Sequence, residues 1–522
     1  MTTQPLKSRI QKIELINFAG DRVIDIAPQV FQLEFYESLF QPLQKVMLTM
    51  YDPIGLFNNF PLLGEEFVVI TFEKNVSDYQ NGESVTFGFC IDSIRNITPS
   101  TKNREQTYTI ELVSIPAIVD AMINVQHAYN GPISKVLTDM YNQYVIGNLN
   151  VLLQKSGGLK KTLDKISGGN LSGGIPILSG ATPSQIKNYE LNPDNIEESL
   201  GDDAGTIIIP NLKPFTAAQF LAQRTTPKTT DTSYYYLFWQ AGDGFHFQTL
   251  QNRLKQQSKK EFVYYSDNAI VNKLGEAAKN NAITNLVINN RITTLEKISG
   301  GYFQNGYFEI NLAQLRYKVT DSTLKDNYTQ TIGTFSARED RSPGLSLTNK
   351  TNTDEYIDAV MGFQVYNLGG EDSQTSGPNR GTSQYTNQSS IESKNRMKYS
   401  FNNRYDTDKI TPLMNRDLVW GNAARTRIAF DQIDLHITVP GDFSLVAGDI
   451  ITVRLPKFEG FNIGDGNTDD KLIVGRYLVT DVKHVFFTVG SVHSTVLRIN
   501  KDAHNIDPNS VEYAYGDLGG SR

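Results

Sequence analysis

Alternation of apolar and polar residues dominates the first hundred positions and predicts short β-strands. Val30 to Phe35 and Val46 to Tyr51 place apolar residues at every second position, and Asp52-Pro53-Ile54-Gly55 then gives a turn signal. Three further runs continue the strand pattern: 62–72, 85–97 and 107–115. Five or six such strands predict a small antiparallel sandwich or barrel.

The apolar period then lengthens to three and four residues, which predicts helices. Ala117 to Val125 and Ile133 to Tyr144 show this spacing, and Phe215 to Arg224 is a third predicted helix with Thr216 available as its cap. Ser156 to Gly205 carries paired glycines, SGG repeats and prolines. That composition predicts a long loop or flexible insertion.

Strand patterns return in the second half of the chain. Tyr234 to Trp239 and Phe245 to Leu250, joined by AGDG, predict a hairpin. The pattern continues over 285–319, where GGYFQNGYFEI is a hairpin candidate, and Asp431 to Ile499 is again dense in strands. Between these regions, the polar segment 320–403 predicts loops with short strands, and 413–428 predicts a helix.

Two distant stretches share one ordered pattern. GEEFVVITF begins at Gly64 and GDIITVRL at Gly448; FCIDSIRNI (89–97) matches YLVTDVKHV (477–485); TYTIEL (107–112) matches STVLRI (494–499). The second block aligns Phe89 with Tyr477 and Ile94 with Val482. Two copies of one β unit would explain the order, although convergence can also produce alternating strands. A ring of three such chains would present six similar units.

Composition narrows the class of protein. The 522 residues predict three or four domains, and 39% apolar with 20% charged residues predict packed cores. A net charge of -7 without a basic cluster disfavours a sequence-reading nucleic-acid binder. The single cysteine, Cys90, excludes a disulfide within the chain, fits a reducing cytoplasm and is expected to be a buried packing residue. The N-terminus shows no signal peptide, and no apolar run is long enough for a membrane span.

Candidate chemical sites are few. GxSxG, Walker A, HExxH and paired CxxC motifs are absent from the sequence. His484 and His493 would face each other in a hairpin, as a metal pair or as an ordinary cross-strand pair. The acidic turn 464–471 lacks the glycine and glutamate of a calcium loop.

The acid pairs and the basic and aromatic runs have ordinary explanations beside the chemical ones. Adjacent acids at 65–66, 197–198 and 202–203 could suggest glycoside hydrolysis, but neighbouring strand residues point to opposite faces and loop acids are solvated. The basic stretch 253–260 could touch phosphates or be a solvated connector. The aromatic run 234–239 could stack on sugars or bases, or its alternate members could face a core and a neighbouring domain.

Five places carry a family resemblance: the opening strands ending in MYDP with the following GEEFVVITF block, FGFCIDSIRNI with TYTIELVSI, the helix 214–222, the hairpin SYYYLFWQAGDGFHF, and LVAGDIITVRL through GRYLVTDVKHVFFTVGSVHSTVLRI. Together they resemble the central baseplate hub protein of T-even-like contractile-tailed bacteriophages. The resemblance covers most of the chain loosely. Segments 156–205 and 320–403 depart from it as insertions.

The resemblance implies a mainly β fold with α+β parts: two tandem tail-tube-like antiparallel β-barrels, a connecting α/β domain and an inserted domain. We expect the first barrel over 1–116, a helical connector over 117–230, the second barrel over 231–265 and 421–504, the inserted domain over 266–420 and a tail over 505–522. An oligonucleotide-binding module or needle after the second barrel is not evident, which favours a free-standing hub over a fused spike.

The resemblance also implies a homotrimer in the virion tail baseplate, assembled in the host cytoplasm, without catalytic, cofactor or metal sites. Its implied partners are the central spike, the tail-tube initiator or tube proteins and the surrounding wedge proteins, with DNA passing through the channel without specific binding. The alternatives are a receptor- or carbohydrate-binding tail protein, the hub of a bacterial contractile injection system, and a wall-degrading hydrolase.

Overall fold

The chain folds into a mainly β structure in which one largely antiparallel sheet of 14 strands dominates, which confirms the predicted fold class. The computed structural model describes residues 7–60, 62–76, 83–99, 105–166, 189, 191–199, 206–225, 227–228, 235–254, 256–265, 276–290, 304–311, 316–323, 398–401, 433–455, 473–488 and 492–501.

The first barrel wraps its strands around one apolar core. Its strands are β1 (Lys7–Ile16), β2 (Val23–Asp25), β3 (Val30–Ser38), β4 (Lys45–Asp52), β5 (Phe67–Val76), β6 (Glu83–Pro99) and β7 (Gln106–Ser114), paired in the order β3-β4-β7-β6-β5-β1-β2, with a short helix α1 (Leu56–Asn59) after β4. Leu33 in β3 points inward while Glu34 points outward, as the alternation requires. Ile13 of β1 and Leu33 of β3 share one core although their strands stand far apart in the pairing order, so the sheet curls round.

The connector that follows holds most of the helices. Its elements are α2 (Pro116–Met122), β8 (Val125–Asn130), α3 (Ile133–Met140), a π-helical stretch (Tyr141–Ile146), α4 (Gly147–Lys155), α5 (Gly157–Ile166), β9 (Leu191–Ile196), β10 (Thr206–Leu212) and α6 (Pro214–Ala222). The sequence predicted a loop over Ser156 to Gly205, but this glycine-rich segment begins with helix α5. Leu159 and Leu163, one turn apart and both fully buried, make α5 amphipathic and hold it against the sheet.

The predicted cap of α6 is wrong. The helix begins at Pro214, so Thr216 lies inside it. Asp120 accepts a hydrogen bond from the backbone N–H of Phe215 instead, at 2.8 Å. A side chain distant in sequence therefore satisfies a free donor at the helix start.

The predicted aromatic hairpin is confirmed as β11 (Tyr236–Ala241) and β12 (Gly244–Thr249). It differs from expectation in its sheet, because β12 pairs in parallel with β9 of the connector and neither strand pairs with the second barrel. Its faces do divide as the alternation predicts. Phe238 lies in the connector core and Trp239 in the core of the second barrel.

The second barrel follows from widely separated segments. Its strands are β13 (Lys260–Tyr264), β14 (Ala282–Ile283), β15 (Asn285–Asn290), β19 (Ile433–Pro440), β20 (Ile450–Arg454), β21 (Gly475–Phe487) and β22 (Val492–Lys501), and the helices α7 (Leu250–Leu254) and α8 (Glu276–Asn280) precede β13 and β14. The expected boundary of the inserted domain at 266 needs correction. Strands β14 and β15 belong to this sheet because they pair with β13 and β19.

Three strands outside both barrels form a separate sheet. They are β16 (Gln304–Asn311), β17 (Arg316–Thr323) and β18 (Lys398–Phe401), with β16 in the middle. The sequence predicted a hairpin within GGYFQNGYFEI, but the hairpin in the structure joins β16 to β17. The predicted helix 413–428 lies outside the described residues. None of the helices in the described ranges is long and apolar enough to cross a membrane.

Candidate functional site

The two barrels are joined edge to edge by a strand pairing that we call the seam. Residues 481–487 of β21 pair antiparallel with residues 32–38 of β3, from Asp481 opposite Ser38 to Phe487 opposite Gln32. The first part of β21, by contrast, pairs with β20 inside the second barrel. One long strand thereby makes a continuous sheet of eight strands in the order β15-β19-β22-β21-β3-β4-β7-β6.

The two barrels repeat one strand order. The first reads β3-β4-β7-β6-β5-β1 and the second reads β15-β19-β22-β21-β20-β13. Each pair of neighbouring strands in the first barrel has the same relative direction as its counterpart in the second barrel, with one exception. Strands β5 and β1 are antiparallel, whereas β20 and β13 are parallel.

The register repeats as well as the order. Phe89 pairs with Val68 in β5, and Tyr477 pairs with Ile451 in β20. On the other side of the same strands, Ile94 pairs with Ile110 of β7, and Val482 pairs with Leu497 of β22. The predicted alignment of Phe89 with Tyr477 and Ile94 with Val482 thus joins positions that have equivalent neighbours.

A β-bulge lies at the same place in both units. The pairing of β6 with β7 skips one residue, Asp92, and the pairing of β21 with β22 skips Thr480. Bulges are local irregularities that change strand twist and direction. An equivalent bulge is a stronger sign of similarity than shared alternation, which any half-buried strand shows.

The turns before β5 and β20 are also alike. Gly64 and Gly448 both have left-handed backbones, with φ of 89° and 99°. Glu66 accepts the backbone N–H of Leu63 at 2.8 Å, and Asp449 accepts that of Val446 at 2.9 Å, each from three residues earlier. Glu66 therefore corresponds to Asp449, and the first turn carries one extra residue between its glycine and its acid.

The solvent side of the eight-stranded sheet, which we call the wall face, carries charges of both signs. Its acids include Glu34, Asp92, Glu111, Asp434 and Asp481, and its bases include Lys45, Arg95, Lys483 and Arg498. Cross-strand ion pairs neutralise much of this charge: Lys483–Glu34 at 2.7 Å, Arg498–Asp434 at 3.1 Å, Arg95–Glu111 at 3.4 Å and Arg498–Asp481 at 3.7 Å. Burial acts to raise the pKa of Glu34, but hydrogen bonds from Lys483 and Tyr36 hold it below its usual value.

A groove of about 620 Å³ follows the wall face where the barrels meet. Tyr36 and Lys45 line it from the first barrel, and His436, Lys483 and Arg498 line it from the second. Asp92, Glu111 and Asp481 line it together with these bases, so it offers no concentrated charge of one sign to a ligand.

The other side of the seam is apolar and crosses the boundary between the barrels. Phe443 and Phe486 belong to the second barrel in sequence but lie in the core cluster of the first. Phe72 of β5 packs against both, with ring centroids 4.7 Å and 5.0 Å away. The second barrel therefore completes the core of the first.

The predicted histidine pair lies at this apolar boundary. His484 is opposite Thr495 and His493 is opposite Phe486, so the rings meet diagonally, with Nε2 of His493 3.3 Å from Nδ1 of His484. Burial, and then the neighbouring His484, keeps the pKa of His493 well below its usual value. No group of three potential metal ligands occurs within the described ranges.

A buried carboxyl stands where both barrels meet the connector. Glu37 of β3 is 4% exposed and accepts hydrogen bonds from Nε2 of Gln44 at 2.8 Å and from the backbone N–H of Ala447 at 3.4 Å. Burial raises the pKa of Glu37 to about 8, and the nearby Asp243 and Asp449 act in the same direction. The side chain therefore keeps a proton at neutral pH.

A second polar cluster supports the same junction from the connector hairpin. The guanidinium of Arg253 donates to Nδ1 of His246, whose Nε2–H donates to Asp243 at 2.7 Å. The imidazole stacks on Trp239 at 4.8 Å, and Trp239 donates its Nε1–H to the carbonyl of Ala447 at 3.2 Å. Burial lowers the pKa of His246 and the charge of Arg253 acts in the same direction, against the hydrogen bond to Asp243, which acts to raise it.

The remaining sequence candidates have structural roles. Glu197 accepts bonds from the backbone and hydroxyl of Thr249, and Cys90 is buried, with burial raising its pKa to about 12. The basic stretch is not a solvated connector throughout, because Arg253 is buried and Lys259 and Lys260 pair with Asp449 and Asp442. The acidic turn 464–471, the pair 202–203 and His504 lie outside the described residues.

Sequence reasoning missed Glu37 and the Asp243–His246–Arg253 cluster. The only sequence signal at Glu37 is an acid at an inward position of an alternating strand. Its partners come from three separate parts of the chain, so no local pattern could have joined them.

Comparison with known proteins gives likenesses of overall shape only. No protein-family model matches the chain, and no curated protein matches it. Among solved structures, the chain is similar to a tail protein from Neisseria meningitidis, at 9% identity and a TM-score of 0.42, covering 95% of this chain and 97% of that one. It is also similar to a 43 kDa tail protein of prophage MuSo2 from Shewanella oneidensis, at 10% identity and a TM-score of 0.44, covering 94% and 98%. A Francisella PdpA–VgrG complex aligns at 10% identity and a TM-score of 0.37, covering 96% of this chain and 58% of that chain.

Proposed function

We propose that this chain is a non-enzymatic structural subunit of a phage-tail baseplate hub, and that three copies form a ring around a central channel. The observation that carries the proposal is the repetition of strand order, register and bulge position in two barrels that share one sheet. A duplicated unit lets a threefold ring present six similar units. Such a ring can mate with a sixfold tube on one side and a threefold object on the other.

The wall face suits the lining of a channel through which DNA passes. Its acids and bases nearly cancel, and most of them form ion pairs. DNA binding without sequence preference depends on free Lys and Arg reaching phosphates. A surface whose basic side chains are already paired with acids offers DNA phosphates few places to bind. DNA can therefore pass along it without being held.

The partners follow from the sequence resemblance. A hub of this kind seats the central spike below, meets the tail-tube initiator or tube proteins above and is surrounded by wedge proteins. Its place is then the virion tail, with assembly in the host cytoplasm. The hub of a bacterial contractile injection system would use the same ring, and the identity of the co-purifying spike distinguishes the two settings.

Electron microscopy with light scattering tests the ring directly. We expect threefold class averages with a central hole and six similar lobes, and a mass of about 175 kDa, three times the chain mass of 58.4 kDa. The same measurements are repeated with the candidate spike or tube protein added. Monomers in both conditions would contradict the proposal.

A further inference from the structure

We propose that copies of this chain join by a second seam, in which β15 of one copy pairs with the outer half of β6 of the next. The inference rests on the proposed ring and names the surfaces that close it. Its partner is a second copy of this chain.

Among the strand edges that are open in the described part of the chain, two lie at opposite ends of the eight-stranded sheet. Strand β15 pairs with β19 on one side only. Strand β6 pairs with β5 up to Cys90, and its outer half, Ser93–Pro99, pairs with β7 alone. Unpaired edges expose backbone donors and acceptors that another strand can satisfy.

The internal seam identifies these two edges as complementary. Register places β6 where β21 stands in the second barrel, so Ser93–Pro99 corresponds to the half of β21 that pairs with β3. Strand β15 likewise stands where β3 stands: Ile288 faces Leu435 of β19 as Phe35 faces Val46 of β4. The two open edges therefore correspond to the two strands, β21 and β3, that pair in the internal seam.

The side chains at these edges are apolar and exposed. Ile97 of β6 is 52% exposed, and Val287 and Ile288 of β15 are 46% and 37% exposed. Val485 and Phe486, in the matching stretch of the internal seam, are only 7% and 3% exposed. Pairing of the open edges would bury Ile97, Val287 and Ile288, just as the internal seam buries Val485 and Phe486.

The pairing is head to tail, because one copy offers β6 and the next offers β15. Contacts of this kind either close into a ring or continue as a filament. If the second seam has the same register as the internal seam, Arg95 of one copy lies opposite Asn290 of the next. Ile97 of the first copy then lies within one residue of Val287 of the second. Each edge has one irregularity near this point, between Arg95 and Thr98 and between Ile288 and Asn290.

Engineered cysteines test the contact. We expect the double variant I97C/V287C to form disulfide-linked dimers and trimers under mild oxidation, whereas I97C/I208C, whose second site is 65% exposed on the connector, stays unlinked. The native Cys90 is buried and does not interfere. Both variants replace exposed side chains, so circular dichroism should match that of the natural chain.

Charge substitution gives a second readout that needs no oxidation. We expect I97K/V287K to remain folded but monomeric, because it places like charges across the seam, and I97K/V287E to recover the oligomer. Light scattering measures the mass in each case.

The outcomes separate this inference from the hub proposal. A ring of the expected mass that neither cross-links at these sites nor responds to their charge would overturn the second seam and leave the ring. Cross-linked chains without a closed ring would support the seam and remove the hub. Monomers without cross-links would overturn both.

Discussion

Glu37 shows how strongly the chemistry of one residue depends on its place in the fold. A glutamate near the end of a strand is ordinarily ionised, but here both barrels and the connector surround it and leave it 4% exposed. Desolvation disfavours the charged form, and two further acids stand nearby. The junction is therefore held together by a neutral carboxyl.

Replacing Glu37 should change how stability depends on pH. The pKa rises from 4.5 to about 8 on folding, so the folded chain holds a proton that the unfolded chain has lost between these values. The contribution of Glu37 to stability is complete below pH 4.5 and falls as pH rises through about 8, by up to ~1.4 kcal/mol per pH unit. Glu37→Gln removes this slope.

Urea unfolding midpoints between pH 5 and 8.5, followed by intrinsic fluorescence, measure the effect. The matched control is Glu261→Gln, because Glu261 is about half-exposed on β13. Parallel pH profiles for Glu37→Gln and the natural chain would show that this carboxyl is not protonated in the fold.

At the scale of elements, β21 determines how the barrels combine. Its first residues pair with β20 and its last seven pair with β3, so one strand of 13 residues belongs to both barrels. Phe486 therefore lies in the core of the first barrel, although in sequence it belongs to β21 of the second barrel. The stability of the first barrel should depend on Phe486, which lies about 370 positions after the end of β7, the last strand of that barrel.

Substituting Phe486 tests this dependence. The ring is 3% exposed and stacks on His493 at 4.0 Å. Phe486→Ala should cost ~3–5 kcal/mol, as buried aromatic deletions do, and should speed hydrogen exchange of amides in β3 and β4. Phe487→Ala is the matched control, since Phe487 is 41% exposed and its loss should cost less than ~0.5 kcal/mol. Equal effects of the two variants would contradict the shared core.

At the scale of the whole molecule, the proposed channel makes the local charge of the wall face more important than the net charge of -7. Net charge controls solubility and long-range attraction, but DNA in such a channel would meet the wall at contact distance, where screening leaves only nearby charges. The ion pairs of the wall face occupy lysine and arginine side chains that would otherwise be available to phosphates.

Reversing two of these acids should create a DNA-binding surface. Glu34→Lys with Glu111→Lys removes the partners of Lys483 and Arg95 and adds two bases. We expect the variant to retard short duplex DNA at low salt and to release it as salt rises, and the natural chain not to retard it. The control, Glu198→Lys with Glu261→Lys, changes the same charge away from the wall face. Equal retardation by both variants would assign the effect to net charge alone.

The sequence by itself determined the strands and their inward faces. Alternation located β3, β4, β7 and the aromatic hairpin because a half-buried strand must place apolar residues at every second position. It also aligned Phe89 with Tyr477 and Ile94 with Val482, positions whose strands have matching registers. It missed α5, because its glycines at 157–158 outweighed the spacing of Leu159 and Leu163.

Only the tertiary structure decided which sheet each strand joins. Strand β15 reads like any other strand, yet it belongs to the second barrel, and the hairpin β11–β12 belongs to the connector. Strand pairing depends on which backbone edge is left open in space, and the alternation of side chains does not record that. For the same reason the seam, the contact of Ala447 with Glu37 and the ion pair of Lys483 with Glu34 join residues hundreds of positions apart.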